Sequence, residues 1–441
     1  MKNRVNRKQI NSISDRTIPS VKTADHQSPI KFFAAVTILS WSAAFTSLSI
    51  STLYFGRGTF DRLLSFKATD FPGNLQTTCN VNPLGVHYFG DLVSTLCHSM
   101  LASPYLSEVT TNYFPFTYVF FRPFLPMFTS EAGVTYVITS FILAGVILIG
   151  IPVLYALREQ TISDKLIVLI LGISLSQPMI NAIDRGNSQI FVTGFLVCGI
   201  YLNAIGKKEA GPFLMGIAVA LKGYPLIYLL RYIQLKQWRS LYLACRTALI
   251  ATTISLLIFA GGLARNLRAM IQDILNFRSY ENQLLYNNSI KAFFQSAERL
   301  GILPKTILEL LEPRLFFLSI LILGLSIALL SLRSLNGFDA TIVCASTSCL
   351  ILDLTAAYVL TLFVIPILFI PQISNTEIKN KILLTMIAVL MAPKNLILIH
   401  ETQGDIDASV GLNSIINPAI MITMITIIGF THFKNRSRSG A

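Results

Sequence analysis

Long runs of hydrophobic residues, separated by short polar stretches, dominate the chain. Several of the runs approach the length of about 20 residues that a helix needs to cross a bilayer, so we predict an all-α integral membrane protein with about 10–12 transmembrane helices. The apolar segments are residues 31–54, 132–156, 165–181, 188–204, 211–231, 241–262, 313–332, 339–353, 355–371, 383–400 and 413–431.

Two long stretches between these segments mix apolar and charged residues. Residues 57–64 place apolar side chains at helical spacing among charges, a pattern typical of a helix that lies in the membrane interface. We therefore expect interfacial helices in the loop 55–131 and, from the same mixture of residues, in the loop 263–312.

Composition supports a membrane protein and argues against a nucleic-acid-binding face. Of the 441 residues, 53% are hydrophobic and 13% are charged, whereas soluble domains carry about 25% charged residues. The basic residues behind the net charge of +13 gather before the first apolar segment and at the ends of others, as in cytoplasmic loops. We predict a disordered basic cytoplasmic arm at 1–30, a membrane domain at 31–433 and a basic cytoplasmic tail at 434–441.

The charges also predict how the segment 211–231 is threaded. Basic residues flank it on both sides, and both flanks fit the cytoplasm only if the segment turns back as a re-entrant hairpin. Gly223 and Pro225 favour such a turn, because broken helices are tolerated where they line a cavity. The alternative is a full span that breaks the charge rule. The hairpin directs both long loops outward, together with the turns near Asp184, Lys222, Asp353 and His400.

The cysteines and histidines give no indication of a metal site. The sequence has six cysteines and five histidines, without a Cys-x-x-Cys pair or zinc-ligand spacing, so we expect neither a metal nor a cofactor. Cys79 and Cys97 share the first outward loop, which leaves open a disulfide between them in an oxidising compartment.

Two charged clusters stand beside or within apolar segments. They are Asp184-Arg185-Gly186-Asn187 and Lys222-Gly223-Tyr224-Pro225. A charge inside a membrane-spanning helix costs roughly 2.5–3.5 kcal/mol on insertion scales, so such residues usually mark a functional site.

These clusters belong to a set of four short stretches. In chain order they are Gly90-Asp91-Leu92-Val93 with Ser103-Pro104-Tyr105 and Asn112-Tyr113-Phe114-Pro115-Phe116; Arg185-Gly186-Asn187 with Gln189; Gly216 through Lys222-Gly223-Tyr224-Pro225; and Asn287-Asn288-Ser289-Ile290. Together they resemble the motifs of the polyprenyl-phosphate-sugar-dependent glycosyltransferases of family 87, which are enzymes of the C-superfamily, typified by mannosyltransferases. The resemblance covers roughly residues 85–300 well and the later spans mostly by hydropathy.

The resemblance implies a membrane glycosyltransferase of the inner or plasma membrane, with an extracytoplasmic active site. It implies transfer of a hexose, mannose being the one expected, from a polyprenyl-phosphate donor to a hydroxyl of a lipid or glycan acceptor, in one displacement with inversion. Two alternatives stay open: a flippase or other transporter of lipid-linked sugars, and a polymerase or ligase of surface polysaccharide.

The same resemblance implies that Asp91 is the catalytic base. A carboxylate within hydrogen-bond reach can activate an acceptor hydroxyl as it attacks the anomeric carbon. The spacing from Asp91 to Pro104 is about one helical turn shorter than the family pattern, which leaves Asp70 as a rival. Asp91 as a simple helix cap is the other interpretation.

The donor phosphate requires cationic and polar partners, because charge-assisted hydrogen bonds stabilise the leaving group. Each cation also has an alternative role that involves no phosphate. Arg185 can form an ion pair with Asp184 or another carboxylate, and the lysines can reach toward the membrane interface. The predicted phosphate- and donor-binding residues are Arg185, Asn187, Gln189, Lys222 and Lys394.

Polar side chains of a later loop and one tyrosine are candidates for binding the acceptor or the sugar. Polar loop residues also commonly form turns, and Tyr358 also fits an interfacial belt. The family often has a histidine where this chain has Ala357. Aromatic residues at 113–121 are interpreted as interface packing. The predicted acceptor- and sugar-binding residues are Asn287, Asn288, Ser289 and Tyr358.

Overall fold

A computed structural model gives the architecture of most of the chain, and it is helical as predicted, apart from two short antiparallel strand pairs near the C-terminal end. The residues that the structure describes are 28–55, 89–106, 113–129, 131–276, 284, 287–331, 335–352, 355–374, 376–394, 396–399, 402–403, 406–407 and 410–439. The predicted interfacial helix at 57–64 lies outside these residues.

The part of the chain up to residue 276 forms eleven α-helices among the described residues. A 3₁₀-helix, Arg122–Thr129, follows α3, and a π-helix, Val168–Ser174, follows α5. The helices are α1 (Pro29–Phe55), α2 (Gly90–Met100), α3 (Pro115–Phe121), α4 (Glu131–Ala156), α5 (Ile162–Ile167), α6 (Gln177–Asp184), α7 (Gln189–Ala204), α8 (Ala210–Leu221), α9 (Leu226–Gln234), α10 (Trp238–Ile258) and α11 (Gly262–Asn276).

The later part adds shorter and less regular elements. Three 3₁₀-helices, Glu312–Arg314, Ala357–Phe363 and Ile370–Gln372, interrupt the α-helices. The remaining elements are α12 (Ile290–Arg299), α13 (Lys305–Leu311), α14 (Leu315–Ser331), α15 (Gly337–Leu350), α16 (Val364–Ile367), α17 (Ile378–Met391), β1 (Ile397–Ile399), β2 (Thr402–Gln403), β3 (Ile406–Asp407), β4 (Val410–Gly411) and α18 (Asn413–Ser439).

Among the described residues, fewer helices than the predicted 10–12 are long enough to cross a membrane alone. Within the described residues, five helices are long and apolar enough to cross a membrane, and a sixth results if the bent pair 162–174 and 177–184 counts as one. Four further apolar helices have 10–17 residues, too few to cross alone. The fold therefore combines full spans with short helices packed between them, and α11, α12 and α13 occupy the predicted loop 263–312.

The chain turns back after Lys222, as the predicted hairpin within 211–231 requires; its re-entrant placement in the membrane stays a prediction. Helix α8 ends at Leu221, and α9 returns toward the earlier part of α8, so that the hydroxyl of Tyr232 lies 3.0 Å from Sδ of Met215 on α8. The start of α8 and the end of α9 both lie near the start of α10, where Arg239 pairs with Glu209 at 2.9 Å. The turn at Lys222 is thus placed at the opposite end of the bundle from the basic flanks.

Two apolar segments fold differently from a single spanning helix. The segment 355–371 is mostly 3₁₀-helix and one turn of α-helix, and it contains Pro366 and Pro371, which lack the N–H that a continuing helix needs. Helix α17 stops at Met391, just before Ala392 and Pro393, because a residue ahead of proline disfavours the helical conformation. Lys394 therefore follows a helix rather than lying inside a span.

Cys97 is disulfide-bonded. Cys79, the partner that the sequence analysis left open, lies outside the described residues, as does Asp70.

Candidate functional site

Asp91 stands at the start of α2, and the backbone there is attached to the turn that follows α6. The N–H of Phe89 donates to the carbonyl of Asp184 at 2.7 Å, and the N–H of Asp91 donates to the carbonyl of Arg185 at 2.9 Å. Gly186 makes this close approach possible. Its φ of +61° is left-handed, and a Cβ there would lie 2.7 Å from Cβ of Leu92.

The carboxylate of Asp91 is held by two donors from the same turn. Arg185 Nη2 donates to Oδ1 at 2.7 Å, and Asn187 Nδ2 donates to Oδ2 at 2.5 Å. The side chain of Asp91 is 15% exposed and that of Arg185 is 40% exposed. The ion pair considered for Arg185 therefore exists, with Asp91 as its partner, and it leaves part of the guanidinium open.

Asn187 connects this carboxylate to the hairpin. The side chain is fully buried, and its amide nitrogen donates both to Asp91 and, at 3.0 Å, to the hydroxyl of Tyr113. Its amide oxygen accepts from Lys222 Nζ at 2.7 Å and from the N–H of Gln189 at 2.9 Å. Four hydrogen bonds use the full capacity of the amide nitrogen and oxygen, so Asn187 fixes the positions of its neighbours.

Lys222 lies at the hairpin turn between two aromatic rings. Its Nζ is 5.4 Å from the ring centroid of Tyr113 and 5.0 Å from that of Tyr358, distances at which a ring face attracts a cation. Burial, and secondarily the charge of Asp91, raises the pKa of Tyr113 well above its ordinary value. The phenol therefore remains protonated beside the lysine.

The turn that carries Lys222 is anchored from α3. The hydroxyl of Thr117 donates to the carbonyl of Leu221 at 2.7 Å, which satisfies a free carbonyl at the end of α8. Gly223 packs directly under Phe114, since a Cβ at this position would lie 2.5 Å from the ring atom Cζ. The hairpin tip and the segment after α2 thus hold each other in place.

Buried polar side chains around Gln189 form a second group of hydrogen bonds beside Asn187. Gln189 is fully buried, and its Oε1 accepts from the hydroxyl of Tyr224. Its Nε2 donates to the hydroxyl of Thr193 at 3.1 Å, and Thr193 is hydrogen-bonded to Thr361 at 2.8 Å. This group joins α7, the hairpin and the 3₁₀-helix that carries Tyr358.

The Asn287–Ser289 segment is built into the scaffold rather than into an open surface. Asn287 Oδ1 accepts from the N–H of Thr355 at 2.8 Å, and Asn288 is bonded to the carbonyl of Thr355. The hydroxyl of Ser289 caps α12, and Asn417 donates to Asn288 Oδ1 at 2.7 Å. All three are buried, so they position the chain that leads to Tyr358.

Lys394 forms a separate set of hydrogen bonds. Its Nζ donates to the carbonyls of Leu390 and Ala392, at 2.9 and 3.1 Å, at the end of α17. This is the usual position of a lysine that caps the last carbonyls of a helix. A role at the phosphate stays a prediction for Lys394.

Sequence reasoning brought together Asp91, Arg185, Asn187 and Lys222 but missed several of the side chains around them. Tyr113 was predicted to pack at the membrane interface, but it belongs to the site. Two other aromatic residues of the same stretch, Phe120 and Phe121, do pack as predicted, against Phe191. Thr193 and Thr361 were not singled out. A polar residue one helical turn from Gln189, inside an apolar segment, is the signal that could have indicated Thr193.

The assembled group, which we call the Asp91 cluster, consists of Asp91, Tyr113, Arg185, Asn187, Lys222 and Tyr358. Chemically it offers a carboxylate that can accept a proton, a guanidinium and an ammonium that can bind an anion, and two ring faces. These are the groups that an activated hydroxyl and a phosphate leaving group require.

Comparison with protein families gives a match that defines the family. The model of glycosyltransferase family 87 matches residues 111–352, more than half of the 441 residues. The match includes Arg185, Asn187 and Lys222, whereas Asp91 and Tyr358 lie outside it. Comparisons with curated proteins and with solved structures gave no match. The chain is a membrane protein that belongs to glycosyltransferase family 87.

Proposed function

We propose that the protein transfers a hexose, with mannose as the expected sugar, from a polyprenyl-phosphate donor to a hydroxyl group of a lipid or glycan acceptor. The observation that carries the proposal is the Asp91 cluster itself, in which a carboxylate and two cations are linked through one asparagine. The reaction takes place on the extracytoplasmic face of the cell membrane, with both termini in the cytoplasm.

In this mechanism Asp91 accepts the proton of the acceptor hydroxyl as its oxygen attacks the anomeric carbon. The bond from that carbon to the phosphate oxygen breaks, and its electron pair leaves with the polyprenyl phosphate. A single displacement of this kind inverts the anomeric centre. Arg185 and Asn187 each donate to one carboxylate oxygen of Asp91. Because a carboxylate oxygen can accept two hydrogen bonds, the carboxylate can be held in place and still receive a proton.

Arg185 and Lys222 bind the phosphate and stabilise the charge that develops on it. Arg185 uses one nitrogen for Asp91, and a guanidinium has five N–H donors. Lys222 donates one of its three N–H groups to Asn187. Donor atoms thus remain on both cations, while Asn187 and Gln189, which are fully buried, act by positioning them.

The test is a transfer assay with the purified protein and a panel of radiolabelled polyprenyl-phosphate sugars. Asp91→Asn keeps the shape of the side chain but removes its basicity, so we expect transfer to fall ~10²- to 10⁴-fold. Asp164→Asn is the matched control, because Asp164 is also buried and hydrogen-bonded, to Thr161, at the start of α5.

The outcomes separate the two candidate bases. Loss of transfer in Asp70→Asn, with Asp91→Asn active, would move the base to Asp70. Full activity in both variants would exclude both aspartates as the base. Movement of intact lipid-linked sugar across vesicles without transfer would favour the transporter alternative.

A further inference from the structure

A crevice of about 460 Å³ lies between α8 and α10, at the end of the bundle away from the Asp91 cluster. Phe213 on α8 lines the crevice, and the eight residues 214–221 separate it from the hairpin turn, which corresponds to ~12 Å. We propose that the crevice binds the headgroup of an anionic phospholipid from the leaflet on the basic side of the protein. Its lining residues are Glu209, Ala210, Phe213, Arg239, Tyr242, Leu243 and Arg246.

Arg246 is the residue that requires an anion. It lies eight residues into α10, a helix long and apolar enough to span a membrane, and its side chain is exposed on the outer surface of the helix. No carboxylate of the described residues forms an ion pair with it within 4.0 Å. An unpaired arginine on a lipid-facing surface is costly, and a phosphate group offsets that cost through charge-assisted hydrogen bonds.

The side chain of Arg246 reaches toward the level of the lipid headgroups. Its guanidinium carbon lies 5.8 Å from the ring centroid of Tyr242, one turn earlier on α10. Side chains on a helix tilt toward the N-terminus, and long cationic side chains reach from the apolar region to the interface. Arg246 therefore extends over Tyr242 toward Arg239, at the beginning of the helix.

The charge of the crevice fits one monoanionic headgroup. Arg239 is paired with Glu209 at 2.9 Å, so the formal charges of these two residues cancel and that of Arg246 remains. A phosphodiester of a phospholipid supplies one negative charge. The crevice thus complements an anionic lipid, whereas the headgroup of a zwitterionic lipid would bring an additional cation.

The apolar surroundings indicate a lipid rather than a free phosphate ion. Tyr242 is 64% exposed, Phe213 is 48% exposed and Trp238, one turn from Tyr242, is 59% exposed. Aromatic side chains of this kind are enriched where the membrane meets water. They offer a surface for the glycerol backbone and the first carbons of the acyl chains, which an inorganic anion would not use.

Binding can be measured by thermal unfolding of the detergent-purified full chain, titrated with phosphatidylglycerol or with phosphatidylcholine of the same acyl chains. We expect phosphatidylglycerol to raise Tm of the wild type at lower concentration than phosphatidylcholine. Arg246→Gln should weaken the apparent affinity for phosphatidylglycerol about tenfold, because one charged partner of the phosphate is lost. Arg246→Lys keeps the charge and should retain part of the affinity.

Arg158→Gln is the matched control. Arg158 is also an exposed arginine, and it is paired with Glu159 at 3.1 Å after α4. Its replacement should leave the titration unchanged. An equal loss in Arg158→Gln and Arg246→Gln, or no loss in Arg246→Gln, would overturn the proposal. Glycerol phosphate that raises Tm as effectively as phosphatidylglycerol would show a free-phosphate site and also overturn it.

Discussion

Among single residues, Asn187 has the largest influence on the geometry of the Asp91 cluster. It is neutral, yet it contacts the carboxylate of Asp91 and the ammonium of Lys222 with the two ends of one amide. Because every donor and acceptor of the amide is used, its orientation is fixed. The distance between the acid and the cation is therefore set by the size of a single side chain.

Replacement of Asn187 should impair transfer without unfolding the protein. Asn187→Ala leaves Asp91 and Lys222 in the chain but removes the group that aligns them, and misplacement by about 1 Å can lower a rate ~10²-fold. The assay is transfer at saturating donor, together with Tm. Asn203→Ala is the control, since Asn203 is also an amide bonded to a tyrosine hydroxyl, that of Tyr232, at the far end of the hairpin; equal rates in the two variants would contradict a positioning role.

Gly186 should be the glycine least tolerant of a side chain near the site. Gly186→Ala combines a left-handed φ of +61° with contacts of 2.7 Å to Leu92 and 2.9 Å to Phe89, so we expect a loss of stability of ~2–4 kcal/mol from strain and overpacking together. Gly206→Ala has the same backbone strain, φ +82°, but open space around its Cβ. Thermal unfolding of both variants separates the two causes. A Gly206→Ala variant that is destabilised as much as Gly186→Ala would exclude the packing contribution.

At the scale of secondary-structure elements, the sequence predicted the class of the elements better than their regularity. Hydrophobic runs predict helices, and most of the runs are helical. They do not show where a helix changes to a π-helix at 168–174 or to a 3₁₀-helix at 357–363, because those changes depend on packing between distant segments. The hairpin could be predicted because two independent signals, the basic flanks and the Gly–Pro turn, agreed.

The residues of the site also divide into those that could be proposed from the sequence and those whose role depends on the fold. Charged residues in apolar surroundings are conspicuous in a sequence, so Arg185 and Lys222 could be proposed from their positions, whereas Asp91 was proposed from the resemblance to the family. Tyr113 and Thr361 could not, because their role arises from segments that are far apart in sequence. The Asn287–Ser289 motif was recognisable, whereas its burial against Thr355 depends on the fold.

The hairpin tip should depend on the fit between Gly223 and Phe114. Gly223→Ala would place a methyl group within 2.5 Å of the ring, and overpacking of this kind typically costs 1–3 kcal/mol. Displacement of the tip moves Lys222, so transfer should fall as well. In a Phe114→Leu background the smaller side chain gives space, and the same glycine replacement should cost less.

This double-mutant comparison identifies the contact itself. Gly324→Ala, at a helix position with nothing within 4 Å of the added Cβ, controls for the loss of a glycine. Equal effects of Gly223→Ala in the two backgrounds would show that the ring does not limit the position.

On the scale of the whole molecule, the two ends of α10 should report the orientation of the protein in the membrane. The 21 residues of this helix extend ~31 Å. Glu209 pairs with Arg239 at the start of α10, and Arg265 lies on α11, which follows the end of α10. Glu209 and Arg265 should therefore lie on opposite sides of the membrane. We expect a membrane-impermeant maleimide to label Arg265→Cys in intact cells, and Glu209→Cys only after the cells are opened. Labelling with the reverse pattern would place the Asp91 cluster in the cytoplasm.

The formal charges of the Asp91 cluster have a consequence for turnover. One acid and two cations leave an excess of one positive charge in a confined space. Under the proposed reaction the incoming phosphodiester carries one negative charge and cancels this excess, whereas the departing phosphomonoester can carry up to two. The spent carrier should then be held more tightly than the fresh donor, and its escape into the lipid, rather than the making of the new glycosidic bond, would set the pace of the cycle.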